Sequence, residues 1–329
     1  MKTSTKIICI VAAVALMAMP QMAVAMRSSP DAEFERAMKK GAQARLEIRV
    51  VDDEGAPVSN ATVKVLFNML TPGGGEIVTV TTDTNGVAVA EGKTNDAIRY
   101  RVEKDGYYKS EEGMDMYNMS HRYEVKDGRW QPWGMQKEIA LLPVKDPQAH
   151  RFGSPDWRRS KVLKTWIGFD LEKYDFVKPH GIGDVTDMEV FFDWDGAWRP
   201  REYNGITVKI RFPGEFAGGY YADKTPCSEF VGVYHADPRG VYKREFSFSE
   251  RVIGRNRQGL ATGMERQMFD FSKVLVVRSR CRLDDKGALV QANYFQLSSI
   301  QFACGEKGAS IMLLSIFNPT PNDTNLEPK

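Results

Sequence analysis

The chain has 329 residues, 42% of them hydrophobic, with 45 basic against 43 acidic side chains. That length supports one large or two ordinary domains with cores of their own. A formal charge of +2 gives no basic excess with which to neutralise phosphates, which excludes a general nucleic-acid binder.

The chain opens MKTSTKIICIVAAVALMAMPQMAVA: Lys2 and Lys6, an apolar run from Ile7 to Met19, then the small-x-small cleavage pattern Ala23-Val24-Ala25. The expectation is a secretory signal over residues 1–25, too short for a membrane span, and export to the periplasm or beyond the cell. Cys9 lies inside the apolar run rather than after it, so no lipid anchor is expected. No later stretch is apolar for long enough to cross a bilayer. Cleavage removes Lys2 and Lys6 and no acid, leaving a formally neutral mature chain. Its cysteines, Cys227, Cys281 and Cys304, are odd in number and read as buried thiols rather than a disulfide framework.

Residues 26–43 read as a polar arm with one short helix. From Ala44, ARLEIRVV alternates Leu46, Ile48 and Val50 with charged neighbours, the period of a half-buried strand. DDEGAPVSN supplies turn chemistry through Gly55 and Pro57, and ATVKVLF puts Ala61, Val63, Val65 and Phe67 on one face. Gly73-Gly74-Gly75 reads as a flexible turn; no helix or Lys-Ser/Thr follows to make it a phosphate cradle. IVTVTTDTNGVAVA reads as a hairpin turning at Asn85-Gly86, AIRYRVEKDGYY repeats the alternation, and MQKEIALLPV closes the set. Several short strands with regular turns predict an antiparallel β-sandwich.

The pattern carried by Asp52, Gly55, Pro57, Val58, Ala61, Val63 and Val65 continues through Thr82, Asp83, Asn85, Gly86, Tyr100, Val102, Lys104, Gly106 and Tyr107. Over residues 44–142 it resembles the carboxypeptidase regulatory-like domains, which have a transthyretin (prealbumin)-like fold. The resemblance implies a carbohydrate-binding-like sandwich or a spacer beside other domains. It implies no catalytic motif, since the matched residues are turn formers and core positions.

The first domain is expected over residues 44–146 and a linker over 147–156, punctuated by Pro147, Gly153 and Pro155. A second β-rich domain, 157–329, follows, with strands expected in TWIGFDL, DMEVFFDW, GITVKIRF, EFVGVYH, REFSFSE, KVLVVRSRCRL, NYFQLSSIQFA and SIMLLSIF. IGFDLEKYDFVKPHGIGDV and FNPTPNDTNLEPK make the whole chain similar to secreted bacterial proteins of unknown function. The fold class is therefore all-β, a prealbumin-like sandwich plus a second β-rich domain.

No catalytic motif is spelled out. His121, His150, His180 and His235 have no metal-ligand spacing, so no metal and no cofactor is expected. Asp193 and Asp195 in DWDG share a strand face but read as a solvated turn, and Cys227 with His235 is a pair any such sequence offers. The residues singled out for ligand binding are Trp130, Trp133 and Tyr107, whose rings can face sugars. Arg278, Arg280 and Arg282 join them, since alternation would line them up as an anion-gripping ladder. Trp194 and Trp198 form a second aromatic group. The alternative for the rings is closure of the sandwich ends; for the arginines it is a solvated or edge-protecting face.

These readings favour an exported, non-catalytic binding protein, its partner a glycan or another envelope or extracellular protein. The alternatives are a secreted hydrolase with dispersed residues in the C-terminal domain, or a structural envelope component.

Overall fold

The structure, a computed structural model, describes residues 32–70, 74–118, 121–153, 156–225 and 229–329. The expected secretory signal, Gly73, Pro155 and Cys227 lie outside the described residues. The chain is all-β, in several sheets. No described helix is long and apolar enough to cross a membrane.

The described part of the arm, from residue 32, is docked on the first core. Helix α1 (Ala32–Lys40) carries Glu33 and Glu35 in its first turn and Lys39 and Lys40 in its last, as the helix dipole favours. It buries Phe34 and Ala37. Gly41, at φ +76°, ends it, and the Gly41 N–H donates to the Ala37 carbonyl. The strands β1 (Ala42–Val51), β2 (Thr62–Phe67), β3 (Glu76–Thr81), β4 (Val87–Thr94), β5 (Ala97–Glu103) and β6 (Ser110–Asp115) follow. Then come the short β7 (Tyr117–Asn118), β8 (His121–Arg122), β9 (Glu124–Lys126) and β10 (Arg129–Gln131), and β11 (Met135–Ala140). One sheet has the order β3-β2-β5-β6; the other runs β11-β1-β10-β9, with β4 also on β1. Alternate residues from both, among them Leu46, Ile48, Val63, Val65 and Tyr100, share one core with Phe34 and Trp130. Each such buried large side chain contributes roughly 1.5–3 kcal/mol.

Two details depart from the sequence reading. IVTVTTDTNGVAVA is not a hairpin: β3 pairs with β2 and β4 with β1, so the Asn85-Gly86 turn carries the chain from one sheet to the other. Thr82 pins this corner, its hydroxyl donating to the Val58 carbonyl and accepting from Ala61 N–H. The closing strand β11 runs parallel to β1, so the first sandwich is not purely antiparallel.

The second half contains β12 (Arg151–Phe152), β13 (Arg158–Ser160), β14 (Trp166–Asp170), β15 (Asp175–Phe176), β16 (Met188–Asp193), β17 (Gly205–Arg211) and β18 (Gly218–Asp223). It ends in β19 (Glu245–Arg255), β20 (Ala261–Gln267), β21 (Lys273–Leu283), β22 (Leu289–Gly305) and β23 (Gly308–Phe317). One sheet is β12-β23-β22-β21-β18, with β13 also on β23; the other is β15-β14-β16-β17-β19-β20. They share a core that includes Phe169, Phe192, Val208, Phe212, Leu275 and Phe295. EFVGVYH forms no strand; its Phe230 leaves the sheets and is buried against Leu142 with Tyr108 and Tyr234.

The C-terminal tail ties the halves together. Glu327, 1% exposed, accepts the backbone N–H of Lys145 and of Asp146, both at 2.7 Å, and the Tyr108 hydroxyl at 3.0 Å. Gln148 and His150, in the expected linker, lie along this tail: Gln148 N–H donates to the Glu327 carbonyl and Lys329 N–H to the Gln148 carbonyl. His150 is buried, and neither ring nitrogen has a hydrogen-bond partner of normal geometry among the described residues. Burial lowers its pKa from the ordinary 6.5, against the opposing pull of Asp323, the Asn325 backbone and Glu327.

Glu327→Gln replaces a carboxylate oxygen with an N–H₂ that faces a donor. It is expected to lower the first urea-unfolding transition by about 2 kcal/mol, against at most about 0.5 for the exposed Glu306→Gln. The folded chain holds His150 neutral, so the unfolded chain takes up the proton first as pH falls. The resulting stability is whole above 6.5 and drains away below it. Thermal melts of His150→Phe should therefore lose less midpoint between about pH 7.5 and about pH 5 than the parent.

Candidate functional site

The outward face of the six-stranded sheet β15-β14-β16-β17-β19-β20 is set by simple alternation. Ile167, Val190 and Ile210 point into the core, as do Phe192, Val208 and Phe248. Their neighbours must point out. One cross-strand row is Trp166, Phe191, Lys209 and Ser247; the next is Asp193, Thr207, Ser249 and Gln267. The rings of Trp166 and Phe191 are 5.2 Å apart and tilted by 50°. The Arg211 guanidinium lies 4.2 Å from the Trp166 ring and is ion-paired to Glu189. Among the described residues, the side chains of Lys209, Ser247, Asp193, Thr207, Ser249 and Gln267 have no hydrogen-bond or ion-pair partner. Two half-buried rings thus border two rows of free donors and acceptors. A ring edge with polar groups beside it suits a ligand that is apolar on one side and hydroxylated on the other.

The residues singled out from sequence do not converge. Trp130 is fully buried, its indole N–H donating to the Thr94 carbonyl at 2.9 Å and its ring edge-on to Phe34. It closes the sandwich end and offers no face to a ligand, which corrects its assignment as a binding residue. Trp133 is half-buried under the Arg129 guanidinium, 4.7 Å from the ring. Tyr107 is half-buried against the first core. Trp194 is buried and bonded to the Ala197 carbonyl; Trp198 is exposed.

The arginine ladder does not form, because β21 bulges. Its register with β22 shifts between Ser279 and Arg282, and Arg280 sits at φ +52°. A residue inserted in the strand breaks the alternation. Arg278 is buried, stacked 4.0 Å from the Tyr242 ring, and donates to the carbonyls of Phe216 and Pro238. Arg280 turns to the other side, over Phe317, and grips both Asp187 oxygens at 2.8 and 3.0 Å, with Glu172 at 2.9 Å. Burial works against its charge, but Asp187 and Glu172 outweigh it and raise its pKa. Only Arg282 remains exposed, bonded to Gln291.

Asp195 is engaged in its turn, accepting from Ala197 N–H and the Asn204 amide. His121, His180 and His235 are exposed. No group of three or more potential metal ligands occurs among the described residues. Cys281 and Cys304 are free thiols, both raised in pKa by burial, Cys304 to about 11.

Sequence reasoning missed Trp166 and Phe191, although the signal was present. In TWIGFDL and MEVFFD, Trp166 and Phe191 are out of phase with the core residues on either side of them. An aromatic at an outward strand position is a binding signal that loop position alone does not give.

No protein-family model matches the chain, and no curated protein matches it in sequence. Likenesses to solved structures are remote. 3-Chlorocatechol 1,2-dioxygenase from Rhodococcus opacus is 12% identical over 36% of this chain and 63% of its own, with a TM-score of 0.25. Catechol 1,2-dioxygenase from Acinetobacter radioresistens is 16% identical over 33% of this chain and 55% of its own, with a TM-score of 0.24. A Bacteroides uniformis "putative carbohydrate binding protein" is 10% identical over 86% of this chain and all of its own, with a TM-score of 0.20. At these scores none of them carries an argument about this chain.

Breaking the Arg280 pair leaves Asp187 buried and uncompensated. Arg280→Ala is expected to cost about 3–5 kcal/mol in urea unfolding, and Arg282→Ala no more than about 0.5.

Proposed function

We propose that this is an exported, non-catalytic binding protein that takes a saccharide on the outward face of the six-stranded sheet. The observation that carries the reading is the placement of Trp166 and Phe191 beside the free polar rows of Lys209, Ser247, Asp193, Thr207 and Ser249. The apolar face of a sugar ring packs on aromatic carbon, and its hydroxyls meet groups that have no other partner among the described residues. The signal-like first 25 residues support export. The carboxypeptidase regulatory-like pattern supports a role for the first sandwich as a carrier domain of prealbumin type. Its matched residues act as turns and core, as at Gly86 (φ +74°) and the buried Val63 and Val65.

The test is binding of the chain from Met26 onward to a panel of neutral and acidic oligosaccharides. Saturable binding is expected, weakened at least about tenfold in Trp166→Ala/Phe191→Ala and retained in Trp133→Ala. Loss in Trp133→Ala alone would move the site to the first sandwich. Absence of binding to every saccharide would overturn the reading.

A further inference from the structure

We infer that the saccharide bound on this face is anionic, with its carboxylate or sulfate ester seated on Lys209. This inference rests on the saccharide reading of the same face. It starts from how the sheet treats its other cations. Arg211 pairs with Glu189, Arg251 with Glu265 at 2.7 Å and Arg266 with Glu250 at 2.6 Å. Arg255 donates to the carbonyls of Gly259, Tyr203 and Pro200. Among the strand cations of this sheet, Lys209 alone has no partner among the described residues.

Its position sharpens the point. Lys209 is half-buried on the central strand β17, directly opposite Phe191 on one side and Ser247 on the other. An anionic group that joins this unpaired ammonium gains a charge-assisted hydrogen bond. By register three outward carboxylates stand one step along the strands from Lys209: Glu189 and Glu245 opposite Arg211, and Asp193 opposite Thr207; Glu189 is paired to Arg211, and none is paired to Lys209 among the described residues. Asp193 repels an anionic group from its end of the face and accepts hydroxyl hydrogens, while at the other end the Arg211 guanidinium stands between Glu189 and Glu245. The ligand that matches has one acidic group at Lys209, a ring packed on Phe191 and Trp166, and free hydroxyls toward Asp193, Thr207 and Ser249.

The measurement uses matched pairs: oligogalacturonate against its methyl ester, and a sulfated galactan fragment against its desulfated form. The acidic member of at least one pair is expected to bind about tenfold more tightly, by an amount that shrinks as salt rises. In Lys209→Met that ratio should fall to about one, and in Lys209→Arg it should persist, with thermal midpoints showing both variants folded. The pair that shows the ratio tells carboxylate from sulfate. Equal binding within both pairs, or a ratio unchanged in Lys209→Met, overturns the inference. If neutral members still bind and lose binding in Trp166→Ala/Phe191→Ala, the saccharide reading stands without it. If no member binds, both fall.

Discussion

The carboxylate of Glu327 fixes the relation between the two cores. It sits 1% exposed and would be costly there if unpaired, yet it makes no ion pair with a lysine or arginine among the described residues. Instead it accepts the N–H groups of two successive residues, Lys145 and Asp146, and a phenol from the first sandwich. Hydrogen bonds to an ionised acceptor are about twice as strong as neutral ones. Asn325 repeats the device two residues earlier, its amide donating to the Asp146 carbonyl while its oxygen accepts Glu327 N–H. Around this polar centre Phe230, Leu142, Tyr108 and Tyr234 form a small apolar seal. Gln148, inside the expected linker, is bonded to the same tail through the Glu327 carbonyl and Lys329 N–H.

Asp170 and Asp187 do in the second half what Glu327 does between the halves. Asp170 accepts four backbone N–H groups, from Glu172, Lys173, Asp184 and Val185. Asp187 accepts Leu171 N–H, the Ser279 hydroxyl and the Arg280 guanidinium. Together they fold the loop after β14 back onto the sheet and couple it to the bulge in β21. That bulge is structural wiring: the residue that breaks the strand's alternation is the one whose charge the loop requires.

Much of this architecture was legible in the chain because alternation and turn chemistry are local. β1, β2, β14, β16 and β17 lie where the period of two places them. What was not legible depended on distant partners. Nothing in TDTNG distinguishes a hairpin from a corner between sheets; that is decided by Val50, whose N–H donates to the Gly86 carbonyl. β18 was missed because Gly218 and Gly219 look like a loop. The glycine at 218 is required by closeness, since a Cβ there would lie 2.7 Å from the Lys243 carbonyl oxygen. EFVGVYH reads as a strand but gives up its ladder to bury Phe230 between the halves. The arginine run looked like a ladder because a bulge leaves no mark in residue types. For the candidate site, Trp130 and Trp133 read as sugar-facing rings from the segment DGRWQPWG, while Trp166 and Phe191 stand in strands, one register step from the core.

The outward face also has a sense of direction. Its rings lie on β14 and β16, its hydroxyls on β17 and β19, and the strands between them are spaced about 4.8 Å apart. A chain lying across them would meet carbon at one end and oxygen at the other, and turning it end for end would exchange the two. On the saccharide reading proposed above, a surface built this way would respond to the direction of a polymer as well as to its composition.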